Sequence, residues 1–417
     1  MLRFIYIQIN CKITYYTSKQ QVFQYYDIWR DSMKRFLIFS LKSVCYDSYT
    51  FFAQSLADAL CNAGHSVELF SAANEPLEAM ERYTGKTFDA VFDLNSELPR
   101  LKMDDDSYFL DHINAPFYDI ILDHPLYHHD TLKQTIANFH VLCLDHNHCD
   151  YIKMYYPHIA SADVFYMTGE DIAPSDASYP DKSIDLLFSG TYTSYHEVED
   201  SFSACPGFMI ALTKKLIGLM LDDPALTQEA ALRALLPSLA EAEIIEEMFP
   251  LHMQACFLCD TWLRAYKREM LLLYLAKQHL PLTICGNGWE KSPLAAFDNV
   301  TLLPDTDFRD TFLLFRQSKV TLNLLPEFKN GTHDRIYSAM LNHCLCFTDA
   351  SHLLEDQFTD GRQLCFYDIH NLENLSSRIS SLLSDPVKLQ EISQNGYFYA
   401  KKNCSWQARA VYLLSLL

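Results

Sequence analysis

The stretch LLPEFKNGTHDRIYSAMLNHCLCFTDA, Leu324 to Ala350, contains the transition that decides the fold. Residues 329–335, called the polar loop below, separate two apolar runs. The pattern predicts a buried strand over 320–324 before the loop, and a helix followed by a strand over 344–348 after it. The polar loop therefore joins a strand to a helix N-terminus, where free backbone N–H groups and the helix dipole favour an anion. Gly331 would let that ligand approach the main chain closely.

Composition limits the possible partners. The chain has 417 residues, and 33 Lys and Arg against 53 Asp and Glu give a formal charge of -20. Such a charge disfavours nucleic acid and anionic lipid, so a phosphate would have to be captured by a few local cations. Thirteen scattered cysteines favour a reducing cytoplasm over a disulfide framework. No stretch reaches the roughly 18 apolar residues of a membrane span.

The first 32 residues differ in pattern from the rest of the chain. They carry aromatic residues and Gln without a clear period, and they lack the uninterrupted apolar core of a signal peptide. Met33 then opens MKRFLIFSLKS, a charged start followed directly by a strand pattern. We expect the folded protein to begin at Met33, with residues 1–32 an extension that is not necessarily native.

From Met33 onward, strand and helix patterns alternate. Helical or loop material separates the apolar runs, which is typical of a parallel, doubly wound sheet. The strands predicted for a first Rossmann-like domain, residues 33–175, are 36–40, 67–70, 88–92, 118–122, 141–144 and 164–167.

A second series of strands predicts another Rossmann-like domain, residues 181–403. A Leu- and Ala-rich acidic stretch, residues 195–278, interrupts this series and is predicted to be a helical insertion. A Pro- and Ser-containing linker joins the two domains, so a cleft must lie between them. Ligands in open α/β sheets bind beyond the carboxyl ends of the strands. The predicted strands of this domain are 184–189, 282–285, 300–303, 320–324, 344–348 and 364–366.

The polar loop also carries a resemblance. KNGTHDRIYSAM, followed by a short strand and FTDAS, resembles the C-terminal domain of the CgeB-like bacterial glycosyltransferases. LLFSGTYTS (186–194), DHPLYHHD (123–130) and LDHNHCDYIKMYYP (144–157) are similar to further segments of that family. The resemblance implies the GT-B fold, two Rossmann-like domains facing across a cleft. It also implies a nucleotide-diphospho-sugar held mainly by the C-terminal domain, with no cofactor and no metal.

One departure from related enzymes bears on the chemistry. Many retaining GT-B enzymes have two Glu residues eight apart, and the corresponding positions here are Asn330 and Ser338. Asp334 and His333 are the residues that would replace their sugar and ribose contacts. The outcome of transfer, retaining or inverting, stays open.

The predicted donor site combines loops of the second domain. A leaving nucleoside diphosphate develops negative charge, so a metal-free site needs cations and N–H dipoles aimed at the pyrophosphate. Arg335 is the main cation, although it would also fit a surface ion pair, and Trp289 would also fit the core. The donor-binding candidates are Gly190, Thr191, Gly286, Gly288, Trp289, Asn323, Asn330, Gly331, Thr332, His333, Asp334, Arg335 and Ser338.

The first domain offers two carboxylate–imidazole pairs, Asp123-His124 and Asp145-His146, each just past a predicted strand. Such a pair can accept the proton of an acceptor hydroxyl in an inverting transfer. The alternative is that both pairs cap the following helices. A metal site at the neighbouring histidines is disfavoured, because adjacent histidines on a helix point apart. The acceptor-side candidates in the first loop are Lys42, Ser43, Tyr46 and Asp47.

At the C-terminus, residues 404–417 predict an apolar helix that crosses back onto the first domain or packs on its own. The sequence thus predicts a cytoplasmic glycosyltransferase that moves a sugar from a nucleotide-diphospho-sugar to a glycan, protein or small-molecule acceptor. Three other functions stay open: a sugar-nucleotide epimerase on the same scaffold, a binding protein without activity on that scaffold, and a metal hydrolase built on the His-rich segments.

Overall fold

A computed structural model describes most of the chain. Near the N-terminus, the backbones of β1 (Ile5–Ile9) and β2 (Lys12–Tyr16) pair antiparallel. The rest of the extension predicted over 1–32 lies outside the described residues, as do Ser43 and the part of the linker that holds the predicted domain boundaries. The described ranges are 33–42, 46–172, 182–238, 242–325 and 327–417.

The first half of the described molecule, residues 33–172, is built on a six-stranded parallel sheet in the order β4-β3-β5-β6-β7-β8. Its interior strand β3, next to the edge strand β4, is buried on both faces, because Phe36 and Ile38 enter one core while Leu37 and Phe39 enter another. This two-sided burial explains the continuous apolar run in the sequence. The strands are β3 (Arg35–Ser40), β4 (Ser66–Ser71), β5 (Ala90–Leu94), β6 (Phe117–Ile121), β7 (Phe139–Cys143) and β8 (Ser161–Val164).

The prediction for the last strand of this sheet was wrong by three residues. The apolar run 164–167 was predicted as the strand, but β8 ends at Val164. Alternate burial of Ala162 and Val164 marks the real strand. Phe165 and Met167 are buried as well, in the segment that leaves the sheet. An apolar run therefore indicated burial correctly but not strand geometry.

The second half, residues 182–417, holds another six-stranded parallel sheet in the order β11-β10-β9-β12-β13-β14 within the described residues. The order reverses between β9 and β12, so the loops after these two strands diverge at the point where α/β sheets bind ligands. Gly190 follows β9, and the polar loop follows β12. The strands are β9 (Ile184–Ser189), β10 (Leu282–Cys285), β11 (Val300–Leu303), β12 (Ser318–Asn323), β13 (Leu345–Asp349) and β14 (Cys365–Tyr367).

Helices cover both sheets and form the insertion between β9 and β10. In the first half they are α1 (Ser48–Asn62), α2 (His129–Leu132) and α3 (His146–Tyr155). The insertion holds α4 (Tyr195–Ser201), α5 (Gly207–Asp222), α6 (Gln228–Leu235), α7 (Ala242–Ala255) and α8 (Phe257–Lys277). The remaining helices are α9 (Asp310–Gln317), α10 (Asp334–Leu341), α11 (His352–Gln357), α12 (Leu372–Leu383), α13 (Pro386–Asn403) and α14 (Trp406–Leu416).

The last helix packs on the first half of the molecule. The Trp406 ring at its start lies 6.2 Å from the Phe51 ring and 6.1 Å from the Phe52 ring, both on α1. This contact ties the two ends of the described chain together. Across the part of the chain that the structure describes, no helix has the length and apolarity to cross a membrane.

Candidate active site

The two halves meet at the carboxyl ends of their sheets, and Tyr46 is one of the residues that joins them. Its hydroxyl lies 2.7 Å from Thr191 Oγ1 and accepts a hydrogen bond from the Asn287 N–H at 3.1 Å. Tyr46 also has a left-handed backbone with φ of 60°. A residue predicted on the acceptor side therefore contacts both glycine-containing loops predicted to bind the donor.

The polar loop docks directly onto the first half. Its Asn330 N–H donates to Asp145 Oδ2 at 2.8 Å, and its Thr332 N–H donates to the Leu144 carbonyl at 3.2 Å. In return, the His146 N–H donates to the Asn330 carbonyl at 3.1 Å. The loop amides thus bond protein rather than facing an open cleft.

Gly331 is needed for this docking. A Cβ atom at Gly331 would lie 2.3 Å from the Leu144 carbonyl oxygen and 2.7 Å from the Asp145 Cβ. We expected Gly331 to admit a ligand, with the amides of Gly331 and Thr332 binding phosphate. In the structure Gly331 instead admits the backbone of the first half, and the Thr332 amide is already bonded there.

The helix that follows the polar loop begins with a charged pair. His333 Nδ1 lies 3.2 Å from the Arg335 N–H and 2.9 Å from Asp334 Oδ1. One ring nitrogen cannot serve both: it accepts from Arg335 when unprotonated and donates to Asp334 when protonated. Burial opposes ionisation of Asp334, but the adjacent His333 holds the pKa of this carboxyl below its ordinary value. The side chains of His333 and Asp334 therefore interact with each other.

Arg335 is aimed by a buried asparagine. Its Nη1 donates to Asn323 Oδ1 at 2.9 Å, and Asn323 is fully buried. Asn323 is itself fixed, because its Nδ2 donates to Thr348 Oγ1 at 3.0 Å and its carbonyl accepts from the Tyr367 hydroxyl at 2.8 Å. We expected Asn323 to bond the donor, but its side-chain oxygen is already occupied by Arg335. Burial lowers the pKa of Arg335.

Two further arginines approach Arg335 from α8 of the insertion. Arg264 Nη2 donates to Asp260 Oδ2 at 2.6 Å, and Arg268 Nη1 donates to the Thr191 carbonyl at 2.5 Å. Burial, followed by the nearby charges of Arg335 and Arg264, lowers the pKa of Arg268 to about 9. Arg268 Nε is buried and has no hydrogen-bond partner among the described residues. These three arginines form what we call the arginine cluster.

Arg264 and Arg268 were not predicted from the sequence. The insertion is Leu- and Ala-rich and acidic, so it was interpreted by its composition alone. The available signal was spacing: Arg264, Lys267 and Arg268 are three and four residues apart, which places them on one side of a helix. The sequence did not indicate that this side faces the loop after β9.

The two pairs in the first half have different environments. Asp145 caps α3, accepting from the Asn147 N–H at 2.6 Å through Oδ1, while its Oδ2 accepts from Asn330. Asp145 is fully buried, and this geometry matches the capping alternative. Its neighbour His146 is exposed.

Asp123 and His124 also differ from each other in environment. His124 Nδ1 accepts from the Leu126 N–H at 3.0 Å, and burial lowers the pKa of the His124 ring well below its ordinary value. His124 is therefore a neutral cap. Asp123 remains partly exposed, with its Oδ2 accepting from Asn95 Nδ2 at 2.9 Å. Of the four candidate bases, Asp123 is the carboxylate that the geometry leaves open to solvent.

The glycine-containing loops pack on each other. A Cβ at Gly286 would lie 2.3 Å from the Gly190 carbonyl oxygen, and one at Gly288 would lie 3.0 Å from the Tyr192 carbonyl oxygen. Trp289 is buried, and its Nε1 donates to the Gly190 carbonyl at 2.7 Å. The alternative that Trp289 belongs to the core fits this arrangement, in which the buried Trp289 side chain supports the Gly190 loop.

The remaining candidates lie at the edge of the site or away from it. Ser338 is buried, donates to the Asp334 carbonyl at 2.8 Å, and abuts Gly169 on the linker side. This placement is a correction to the expectation that Ser338 binds the donor. Lys42 Nζ donates to the Asn95 carbonyl at 2.8 Å, near Asp123, whereas Asp47 precedes α1 with a φ of 64°. No three His, Cys, Asp or Glu side chains of the described ranges come together in a way that could hold a metal.

Comparison with solved structures identifies the architecture. The chain is similar to an alpha-glucosyltransferase in complex with UDP and a 13-mer DNA, with a TM-score of 0.56, 12% identity and coverage of 93% of this chain and 100% of the other. The chain has the GT-B fold. It is also similar to a sucrose-phosphate synthase from Thermosynechococcus elongatus, with a TM-score of 0.52, 10% identity and coverage of 92% and 98%. The T4 phage BGT in complex with its UDP-glucose substrate gives a TM-score of 0.51, 12% identity and coverage of 92% and 99%.

The sequence comparison concerns the second half of the molecule. Residues 264–415 match the model of a family described as "Glycosyl transferase-like". The matched region begins at Arg264 and contains the polar loop and the whole arginine cluster. No curated protein matches the sequence.

Proposed function

We propose that this protein is a glycosyltransferase that uses a nucleoside-diphosphate sugar as its donor. The observation that carries the proposal is the arginine cluster. Burial, and then the charges of Arg335 and Arg264, lower the pKa of Arg268, although the chain as a whole has a charge of -20. Of the three arginines only Arg264 forms an ion pair in the described residues, with Asp260. Like charges held together in a desolvated site destabilise the protein unless an anion joins them. A diphosphate would supply that anion.

The arginine cluster also suits the chemistry of transfer. As the bond between the sugar C1 and the diphosphate oxygen breaks, negative charge grows on the leaving diphosphate. Arg264, Arg268 and Arg335 are positioned to stabilise that charge without rearrangement. This role would need no metal ion, so we propose metal-independent transfer without a cofactor.

Asp123 is the residue we propose as the general base. In an inverting transfer it would take the proton of the acceptor hydroxyl as that oxygen bonds to the sugar C1. Its carboxylate accepts a hydrogen bond from Asn95, and its charge adds to that of Asp260, the main cause, in raising the pKa of Arg264. Asp145, which is bonded by two backbone N–H groups, is better suited to holding the halves together.

The neighbours guide the choice of ligands. One is described with UDP and another with UDP-glucose as its substrate, which supports UDP-sugars as the first donors to test. The DNA described with the first neighbour is a less suitable acceptor here, because a charge of -20 repels DNA. A glycan, protein or small molecule is the acceptor class that we propose. The segment Asn330 to Arg335 supports a CgeB-like bacterial enzyme, and the scattered cysteines support a cytoplasmic location.

The test is nucleoside-diphosphate binding by an Arg268→Ala variant. Thermal shift and titration calorimetry with UDP, GDP and ADP should show binding of at least one to the native chain. Arg268→Ala should weaken that binding by about 10-fold to 150-fold, the scale of a lost bond to a charged group. Arg362→Ala is the matched control, because Arg362 is an exposed arginine of the second half.

Two results would overturn the proposal. The first is no binding of any nucleoside diphosphate to the folded native chain, and the second is equal affinity in the Arg268→Ala and native proteins. Incubation with UDP-sugars then separates the alternatives. A transferase needs an acceptor for turnover, an epimerase changes the donor sugar without one, and a binding protein does neither.

A further inference from the structure

A cavity lies beside the polar loop, at the carboxyl ends of β12, β13 and β14. It has a volume of about 280 Å³ and is roofed by Pro224 and Ala225, which belong to the insertion. We call it the Lys267 cavity, after the α8 residue in its wall. The arginine cluster has neighbours in common with it: Arg268 follows Lys267 in α8, and Tyr367, another wall residue, bonds the Asn323 that holds Arg335.

Lys267 is unusual among the buried cations of this protein. Its side chain is part of the cavity wall, and the residue is only 6% exposed. Among the described residues, Lys267 has no hydrogen-bond or ion-pair partner. A buried ammonium without a partner is costly, because it loses its hydration and gains nothing in exchange.

Lys182 provides the contrast. It is also largely buried, and burial lowers the pKa of both lysines to about 8. Lys182 Nζ, however, donates to the carbonyls of Arg316 at 2.8 Å and Asn342 at 3.3 Å. Lys182 is not part of the wall of the Lys267 cavity. Lys182 is therefore a structural lysine, whereas Lys267 borders empty space without such partners.

Two lysines and three carboxylates line the cavity, but none of these carboxylates pairs with a lysine of the wall in the described residues. Lys329 of the polar loop is a second lysine in the wall, and no described carboxylate forms an ion pair with either lysine. The charges of Asp349 and Glu327 reach Lys267, but burial raises the pKa of both carboxyls, and Asp349 Oδ1 already accepts from the Leu325 N–H at 2.7 Å. The other wall acids, Glu355 and Asp368, are exposed at the rim.

We propose that the Lys267 cavity binds an anionic group, a carboxylate or a phosphate, carried by the sugar of the donor or by the acceptor. The proposal rests on the proposed function, because it assigns the cavity to a substrate of that reaction. The volume lies just below the roughly 300–1,000 Å³ of sites that enclose a whole ligand. The cavity therefore suits one charged group or one sugar ring, with Lys267 and Lys329 as its counter-charges.

The first experiment uses inorganic phosphate as the probe. Phosphate should raise the melting temperature of the native chain, and this shift should persist when the arginine cluster is saturated with UDP. Lys267→Met should weaken the phosphate effect at least 10-fold, as judged from the concentration that gives half of the shift. Lys277→Met, at an exposed lysine of the same helix, should leave it unchanged.

A comparison with Arg268→Ala keeps the two proposals separate. If the cavity is an anion site, the phosphate effect is lost in Lys267→Met and retained in Arg268→Ala, whatever happens to nucleotide binding. A phosphate effect that is equal in native, Lys267→Met and Lys277→Met proteins overturns the cavity proposal but leaves the diphosphate site intact. Failure of UDP, GDP and ADP alike to bind the native chain overturns the proposed function instead.

Resting stability gives a readout independent of any ligand. Lys267→Met removes an unpartnered charge, so its melting temperature should equal or exceed that of the native chain. Lys182→Met removes a partnered charge and leaves carbonyls unsatisfied, so its melting temperature should fall. A fall for Lys267→Met as large as that for Lys182→Met would show that Lys267 is structural, and would overturn the proposal.

The source of the anionic group is tested with UDP-glucuronate and UDP-glucose. If the donor sugar carries the group, the native chain should bind UDP-glucuronate at least 10-fold more tightly than UDP-glucose, and Lys267→Met should remove this preference. If the acceptor carries it, the two donors bind alike and free glucuronate binds the UDP-saturated native chain but not Lys267→Met. If neither pattern is found, the cavity does not serve an acidic substrate.

Discussion

The polar loop and the arginine cluster lie next to each other, but their polar groups differ in how fully they are hydrogen-bonded. The amides of Asn330 and Thr332 in the loop are bonded to the first half of the molecule. Arg268, by contrast, is crowded by two like charges and has a buried Nε without a partner. The bonds of the loop are structural, and the cluster is the ligand site that we propose.

This difference shows how a binding site can be distinguished from a docking site in the absence of a ligand. Buried polar groups in proteins are nearly always hydrogen-bonded, so a satisfied group is evidence of a structural role. Unsatisfied or like-charged buried groups are less common and cluster at functional sites, so such a group is a candidate for ligand binding. Substitutions on each side of this division can test it.

The largest expected effect concerns Asp123 and its counterpart Asp145. Asp123→Asn should reduce sugar transfer by about 100-fold to 10,000-fold, because it removes the proposed base. Nucleoside-diphosphate affinity and melting temperature should stay close to native, since Asp123 contributes a single side-chain hydrogen bond to the fold. Activity, calorimetry and thermal denaturation measure the three quantities.

Asp145→Asn is the comparison variant and should behave as part of the docking region. It replaces an oxygen that accepts a backbone N–H by an NH₂ group, so unfolding free energy should fall by about 1 kcal/mol, with activity following it. His124→Ala and His146→Ala complete the set. Near-normal transfer in all four variants would mean that the base lies elsewhere or that the reaction needs none.

Arg335→Ala should have the next largest effect. Loss of this guanidinium should weaken nucleoside-diphosphate binding by about 1.5 to 3 kcal/mol without unfolding the second half. Calorimetric titration gives the affinity, and circular dichroism checks the fold. Unchanged affinity in a folded variant would remove Arg335 from the arginine cluster's function and leave only its bond to Asn323.

Gly331→Ala tests the docking side of the comparison. The new methyl group would collide with the backbone at Leu144, so the unfolding free energy should fall by about 1 to 3 kcal/mol. Urea denaturation measures this change. Gly207→Ala is the control, because a Cβ at Gly207 meets no atom within 4 Å. If Gly331→Ala is as stable as the control, the polar loop is not held against the first half in solution.

The smallest expected effect concerns Asp93 and Asp119, two buried acids of the first half. When ionised they carry negative charge, whereas the arginine cluster carries positive charge. Burial raises the pKa of Asp93 to about 7 and that of Asp119 well above its ordinary value. At these two groups the folded state therefore binds more protons than the unfolded state, so their contribution to stability should be greatest below about pH 4 and be lost as the pH rises through 7. Asp119→Asn should gain on the order of 1 kcal/mol over the native chain at pH 8. A native unfolding free energy that is flat between pH 4 and 8 would contradict this.

The fold could be predicted from the sequence because burial leaves a local pattern. Strands β9, β10 and β11 begin and end at the predicted residues, since each is a short apolar run bounded by polar residues and glycine. The segment 164–167 misled the prediction because it is buried for another reason, as the exit from β8. Apolar character indicates burial, whereas strand geometry needs a bonded neighbour.

The site was less predictable, because its bonding depends on residues far apart in the chain. The sequence placed Arg335 at a helix start, but it did not indicate that Asn330 bonds Asp145, 185 positions earlier. It also did not indicate that α8 would bring Arg268 to Thr191. Residue type and local spacing identify groups capable of binding an anion, and only tertiary contacts decide which of them remain available.

Tyr46 makes the two halves thermodynamically dependent on each other. Its single hydroxyl contacts Thr191 of one loop and Asn287 of another, so the first half adds a bond to each of two loops that already pack on each other. Coupling of this kind is reciprocal: a ligand that fixes these loops must strengthen the contact between the halves by the same factor by which that contact strengthens ligand binding. The free energy of contact between the two halves and the free energy of donor binding then contain the same coupling free energy.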